Sequence, residues 1–353
     1  MVPTLPVLGP RTALLTSTVL SSSYPTAVKL IYAADTDSVL TAPVLTAIRF
    51  VIMATVAQAF ILRPAERQRD PAGFWPAAVE LGFWATAGAQ LNTAALSQIG
   101  VVRGTILLAT INILTPTLSA IIGTSEAQRR VAPRTWLACA LALASTIYAL
   151  SDDLSAASTT LATRLLPVEY LPGDEMALGA ACCYATGQVR LSSLLQQQTE
   201  DTGRAQFMPE RLAAARLQTQ AACSLLFLPL AGGVPLAAAS GGDVAMLLSS
   251  ASEWSSHISP TQVGLLCLSA SVAVVGLLLQ YEGQKVVPAS EAQPIYASSP
   301  VLSALWAYAV LSEPITSSEA VGGLGIGGAA LLAATSGKEE KQENENRREE
   351  GQR

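Results

Sequence analysis

Three cations lie inside otherwise apolar stretches of the chain: Lys29, Arg49 and Arg190. A charge at the centre of a lipid-embedded helix costs about 2.5–3.5 kcal/mol on insertion scales, so it normally faces a wet cavity or a partner. Amides recur in the same kind of stretch, at Gln90, Asn92, Asn112, Gln188 and Gln280. The chemistry open to such a set is recognition. An arginine fork grips carboxylate or phosphate through two parallel hydrogen bonds, and an amide both donates and accepts. Bond-making chemistry has no comparable set. The five cysteines (Cys139, Cys182, Cys183, Cys223, Cys267) fall in apolar stretches and the single histidine, His257, in a connection. They give no zinc spacing, disulfide framework or Cys/His nucleophile. Glu80, Glu282 and Glu291 fall toward the ends of apolar stretches and no aspartate lies deep in one. An enzyme's paired carboxylates and a membrane proton relay are therefore both missing. The chain reads as a non-enzyme without cofactor or metal.

Each of these residues also has a plainer reading. Lys29 and Arg190 lie near stretch ends, where long cations snorkel to the interface. Arg49 is some nine residues in, roughly 13 Å at 1.5 Å per residue, too deep for easy snorkelling; capping carbonyls or pairing helices is its alternative. Buried amides also join helices, at about 0.6 kcal/mol per bond. Pro25, Pro116 and Pro300 interrupt helical hydrogen bonding and are either hinges or simple kinks. Tyr184 and Trp306 line a cavity or face lipid. Gly322 to Gly328 reads as close helix packing, because Gly323 and Gly327 have GxxxG spacing.

The elements that must position these groups follow from composition. Half the residues are hydrophobic and 13% are charged, with a mean hydropathy of +0.40, whereas a soluble domain carries about 25% charged residues. A bilayer-spanning helix needs roughly 20 mostly apolar residues. Ten windows qualify: 12–33, 40–62, 75–97, 101–123, 135–152, 176–196, 212–232, 261–281, 289–311 and 318–336. The windows at 75–97, with Glu80, Gln90 and Asn92, and at 212–232, with Arg216, Gln218 and Gln220, are the most polar. Continuous apolar runs, without period-two alternation, indicate helices and not barrel strands. Met1 to Pro10 has no basic cluster and no cleavage pattern follows the first run, which reads as the first span and not a targeting peptide.

Charge sets the expected orientation. Arg11, the Arg63–Arg69 and Arg129–Arg134 connections, Arg204, Arg211, Lys285 and the cations from Lys338 onward fall on one side, leaving Arg103 and Arg164 on the other. The positive-inside rule puts the richer side, with both termini, in the cytosol or stroma. Which membrane is crossed stays open between plastid envelope, plasma membrane and endomembrane. Segments 153–175 and 236–259 read as outer connections. The acidic, Gln-rich tail at 337–353 reads as disordered, having no apolar residue able to pack.

The chain also repeats itself. Pro116-Thr117-Leu118-Ser119-Ala120 returns as Pro300-Val301-Leu302-Ser303-Ala304, each followed by a glutamate (Glu126, Glu313) and another apolar run. Val28-Lys29-Leu30 is echoed by Val189-Arg190-Leu191. If 1–152 and 176–336 each hold five spans, the odd number inverts the second half, the arrangement of transporters whose sites lie between halves. The expected fold is an all-α integral membrane protein of ten transmembrane helices in two inverted five-helix repeats.

With these residues in view the chain resembles the EamA-type branch of the drug/metabolite transporter superfamily. The resemblance rests on Ser23 to Lys29, where the family usually has Trp-Gly and then lysine, on Ala47-Ile48-Arg49-Phe50, and on Ala94-Ala95-Leu96 leading to Thr115-Pro116. It is densest from Gly283-Gln284-Lys285 through Ser299-Pro300, Leu311-Ser312-Glu313-Pro314 and Gly322 to Gly328. It implies a central cavity lined by helices one to four and six to nine, and transport of a small solute by alternating access. Partners are then the lipid bilayer and a small solute, with an anion favoured by the cations; no nucleic acid is implied, and a homodimer is open. A nucleotide-sugar or sugar-phosphate antiporter and a non-transporting scaffold or receptor are the alternatives.

Overall fold

The computed structural model describes residues 9–34, 41–61, 73–123, 133–149, 172–202, 209–230, 259–287 and 295–329, with Ala292 and Leu332. Among the described residues there is no strand. The helices are α1 (Pro10–Ser21), α2 (Tyr24–Ala33), α3 (Ala42–Ile61), α4 (Phe74–Gln98), α5 (Val101–Leu108), α6 (Ile111–Ile122), α7 (Pro133–Ala149), α8 (Pro172–Thr202), α9 (Pro209–Leu230), α10 (Pro260–Gln284) and α11 (Ser299–Leu311). A further helix, α12, covers 317–329. The tail at 337–353, His257, Glu126, Glu291, Arg164 and the Arg63–Arg69 connection lie outside the described residues, as does nearly all of 236–259.

Local sequence explains where helices start and stop. Five open on proline (Pro10, Pro133, Pro172, Pro209, Pro260), whose missing N–H would be unpaired at a first turn anyway. Ser259 and Gln262 close a reciprocal capping box at the start of α10. The window expected at 12–33 is two helices, α1 and α2. At their junction the Ser21, Ser22 and Ser23 hydroxyls donate to the carbonyls of Thr18, Val19 and Leu20, while Pro25 has no N–H to continue the ladder. The Ser22 carbonyl accepts from the Ser303 hydroxyl of α11 at 2.9 Å, so the break is satisfied inside the protein, as apolar surroundings require. The window at 101–123 likewise divides at Ala109–Thr110 into α5 and α6. One connection is corrected: 153–175 does not stay a loop throughout, because α8 begins at Pro172 and takes Asp174 and Glu175 into its first turn. Acidic side chains there complement the positive helix end.

The distribution of polarity is that of a protein in lipid. Trp75, Val79, Phe83, Leu226, Leu268, Leu305, Tyr308 and Leu324 point outward, while Arg49, Asn92, Gln220, Gln262 and Gln284 are buried. Among the described residues, three stretches are long and apolar enough to cross a membrane by length and composition: Ala42–Ala59, Val101–Ile122 and Pro260–Gln284.

Packing joins the two halves of the chain. α4 lies along α8 and α1 along α10; α9 packs on α3 and α4, α10 on α3, and α11 on α5 and α2. Small residues permit the closest approaches. A Cβ at Gly88 of α4 would fall 2.9 Å from the Tyr184 ring of α8, and one at Gly325 would collide with the Ser145 side chain of α7. Gly325 bears out the packing expected of the glycine-rich segment, whereas Gly327 and Gly328 have open space where a Cβ would be.

Candidate functional site

A cavity of about 310 Å³ lies at the centre, lined from α1–α6 and α8–α11. Of the residues singled out in the sequence, Arg49, Asn92, Asn112, Gln188 and Gln280 line it, as do Pro25 and Pro300. Lys29, Gln90, Arg190 and Pro116 do not.

Arg49 is buried at 8% exposure. Its guanidinium lies 4.0 Å from the centroid of the Tyr24 ring, a contact worth about 2 kcal/mol or more when desolvated. The Tyr24 hydroxyl is in turn tied to Thr93 Oγ1 of α4 at 2.6 Å, so the ring is held in place beneath the charge. The Arg49 Nε has no hydrogen-bond partner. A ring face offsets part of the charge but accepts none of the guanidinium's in-plane N–H bonds.

A second arginine, Arg216 of α9, lines the same cavity. It donates to the Tyr281 hydroxyl at 3.3 Å, and its Nε is also buried without a partner. Tyr184 lines the cavity within electrostatic range of both guanidinium groups, while Trp306 is 40% exposed and points outward. No aspartate or glutamate lines the cavity among the described residues. In the sequence Arg216 is one of several polar residues in one of the two most polar windows. The missed signal was an internal echo: Leu45-Thr46-Ala47-Ile48-Arg49-Phe50 returns as Leu212-Ala213-Ala214-Ala215-Arg216-Leu217. Each arginine is the eighth residue of its helix.

The carboxylates are engaged elsewhere. Arg190 binds Glu80 through two bonds, the Nη2–Oε2 contact at 2.9 Å, which ties α8 to α4. Arg103 of α5 grips Asp174 of α8 with bonds of 2.9 and 2.7 Å, and Lys285 holds Glu282 one turn back. Lys29 lies in the field of Glu313, whose carboxylate also accepts from the Val102 N–H at the start of α5. Among the described residues the two cavity arginines thus have no carboxylate bonded to them, whereas Arg190, Arg103 and Lys285 each have one.

The proline candidates occupy different settings. Pro25 and Pro300 sit in the first turns of α2 and α11, where proline is tolerated. Pro116 lies inside α6. Gln90 is half-buried away from the cavity, its amide nitrogen without a partner.

Residues 215–335 match the model of the EamA-like transporter family. A solved structure, described only as the crystal structure of a protein, superposes with a TM-score of 0.58 at 17% identity, over 92% of this chain and 97% of that one. At that identity the likeness is one of fold. No curated protein sequence matches the chain.

Proposed function

We propose that this chain, which belongs to the EamA-type drug/metabolite transporter superfamily through the match over residues 215–335, is a secondary transporter that moves a small polar metabolite by alternating access at the central cavity. The observation that carries the reading is the cavity itself: both halves of the chain line it, its polar groups include the buried Arg49 and the half-buried Arg216, and the outer surface is apolar. Sites between repeats near the bilayer midplane are how such transporters expose one solute to each side in turn.

Helix packing supports two inverted repeats. Count α1 with α2 as one span and α5 with α6 as another, then exchange spans one to five with six to ten. Under that exchange α1 against α10 becomes α8 against α4, α3 against α10 becomes α9 against α4, and α11 against α2 becomes α6 against α8; all six are contacts of this fold. The α3–α9 and α5–α11 contacts map onto themselves. A scaffold would have no use for such an exchangeable set around a polar centre. In this reading both termini share a compartment, and single cysteines in the tail and in the 150–171 segment label from opposite sides of the membrane.

Transport by purified protein in proteoliposomes is the test. Counterflow of at least one small polar solute, abolished by a bulky substitution at Gly187 or Ala273 in the cavity wall, is the expected result. Proteoliposomes inert toward amino acids, sugars, carboxylates and phosphate esters alike would leave the scaffold reading standing instead. A nucleotide sugar fits less well, because about 310 Å³ is at the lower end of the roughly 300–1,000 Å³ typical of ligand sites.

A further inference from the structure

We propose that the cavity selects a small organic dianion with two separated charge centres, such as a C4 dicarboxylate, one centre held by Arg49 and the other by Arg216; the inference rests on the transport reading above.

Charge balance is the first step. Two guanidinium groups face one cavity that has no carboxylate in its wall among the described residues, and of the described carboxylates Glu80, Asp174 and Glu282 are each bound to another cation. Buried charge without a counter-ion costs several kcal/mol, so the site is electrostatically incomplete until an anion enters. One negative charge leaves one arginine uncompensated; two satisfy both.

Hydrogen-bond capacity gives the same direction. Each Nε is buried without an acceptor, and a guanidinium presents its donors in one plane that matches a carboxylate's two oxygens. Around Arg49 the face of the Tyr24 ring offsets part of the charge but leaves the in-plane Nε to a ligand. Around Arg216, the Tyr281 hydroxyl takes one bond from Nη1.

Depth then separates one kind of dianion from another. Each arginine is the eighth residue of its helix, and the two helices cross the membrane in opposite senses in an inverted repeat. Both residues therefore lie about 10 Å in from opposite faces, which leaves about 10 Å between them along the normal of a core about 30 Å thick. Side chains converging from two depths suit charges at the two ends of a short chain better than the two charges of one phosphate group. Asn92, which lines the same cavity, offers an amide for a hydroxyl or keto substituent.

The test uses matched probes on purified full-length protein in detergent, with equilibrium binding of radiolabelled succinate, butyrate and butane-1,4-diol. These share four carbons and differ in charge. Succinate should bind about 10- to 100-fold tighter than butyrate, the ratio expected for one more charged hydrogen-bonded contact, and the diol should show no saturable binding. Arg49→Gln and Arg216→Gln should each reduce succinate affinity by about tenfold or more while leaving butyrate within about threefold of its parent value. Succinate and butyrate binding alike would overturn the proposal, as would a folded Arg216→Gln protein with unchanged succinate affinity. The ligand ratio needs no variant, so a glutamine variant that fails to fold leaves the outcome decided. Glycerol 3-phosphate, run beside glycerol, distinguishes the source of the charge: tighter binding than succinate would overturn the two-ended arrangement in favour of one phosphate. If succinate binds but proteoliposomes move nothing, the transport reading alone fails. If a neutral solute is moved and succinate neither binds nor competes, the dianion site alone fails.

Discussion

Arg103 and Arg49 occupy the same fold in opposite surroundings. Arg103, near the start of α5, meets Asp174 of α8 in a two-bond ion pair whose side chains are 13% and 2% exposed. Arg49, within α3, is more deeply placed than Arg103 yet has a tyrosine ring and no carboxylate. Arg216, like Arg49, has a tyrosine and no carboxylate beside it among the described residues, and Arg190, like Arg103, is bound to a carboxylate of another helix. In lipid, a cation at a helix end can be balanced permanently by a neighbouring helix, which makes it a strut. A cation in the cavity that lacks such a partner stays available for a ligand. The difference teaches that burial of an arginine says little about function until its anion has been located.

Breaking the most buried strut has the largest expected effect. Asp174→Ala removes the carboxylate that Arg103 grips across the α5–α8 contact and should cost about 3–5 kcal/mol, read as a lower denaturation midpoint of the purified protein. Arg103→Met with Asp174→Leu, which removes both charges, should recover most of that loss, because an apolar pair of similar volume avoids the desolvation cost. Failure of the double variant to recover would mean that the ion pair is not what holds α5 to α8.

Arg49→Lys sharpens the comparison from the other side. Lysine keeps the charge but lacks the planar fork, so affinity for an acidic solute should fall by part of the roughly 1.5–3 kcal/mol of a charged hydrogen bond. Thermal stability should hardly change, since no permanent ion pair is lost. A fall in stability as large as that of Asp174→Ala would reclassify Arg49 as a strut.

The smallest effect is expected at Arg190. Its pair with Glu80 is about one-third exposed on both sides, and exposed pairs contribute about 0.2–1 kcal/mol. A double-mutant cycle with Arg190→Gln and Glu80→Gln should return a coupling in that range. A coupling well above it would mean that the α4–α8 contact depends on this pair.

Much of the fold was legible because the hydrophobic effect writes it in runs. Apolar windows lie over the described helices, and the prolines and the Ser259–Gln262 box mark their starts. The splits at Ser22 and Ala109 were not legible, because their stability depends on partners from distant helices, such as Ser303 accepting the role of donor to the Ser22 carbonyl. The candidate site was legible in part. Arg49 was recognisable as a charge too deep for the interface, and Asn92, Asn112, Gln188 and Gln280 as amides inside apolar stretches. Arg190 is just as conspicuous in sequence, but its pairing is set by Glu80, 110 residues away, and no local pattern reports that. Arg216 was hidden by its polar window, where Gln218 and Gln220 diluted the span signal, although its repeat with Arg49 was on the page. Arg103, one of the two cations expected on the poorer side, is paired with Asp174.

The central claim, that the unpaired arginines serve the ligand and the paired ones serve the fold, is tested most directly by succinate uptake into proteoliposomes containing equal amounts of Arg49→Gln, Arg216→Gln, Arg190→Gln or parent protein. The account predicts uptake reduced by about tenfold or more in the first two and within about twofold of the parent in the third. Arg190→Gln losing uptake as severely as Arg49→Gln, or both cavity variants transporting succinate as well as the parent, would contradict it.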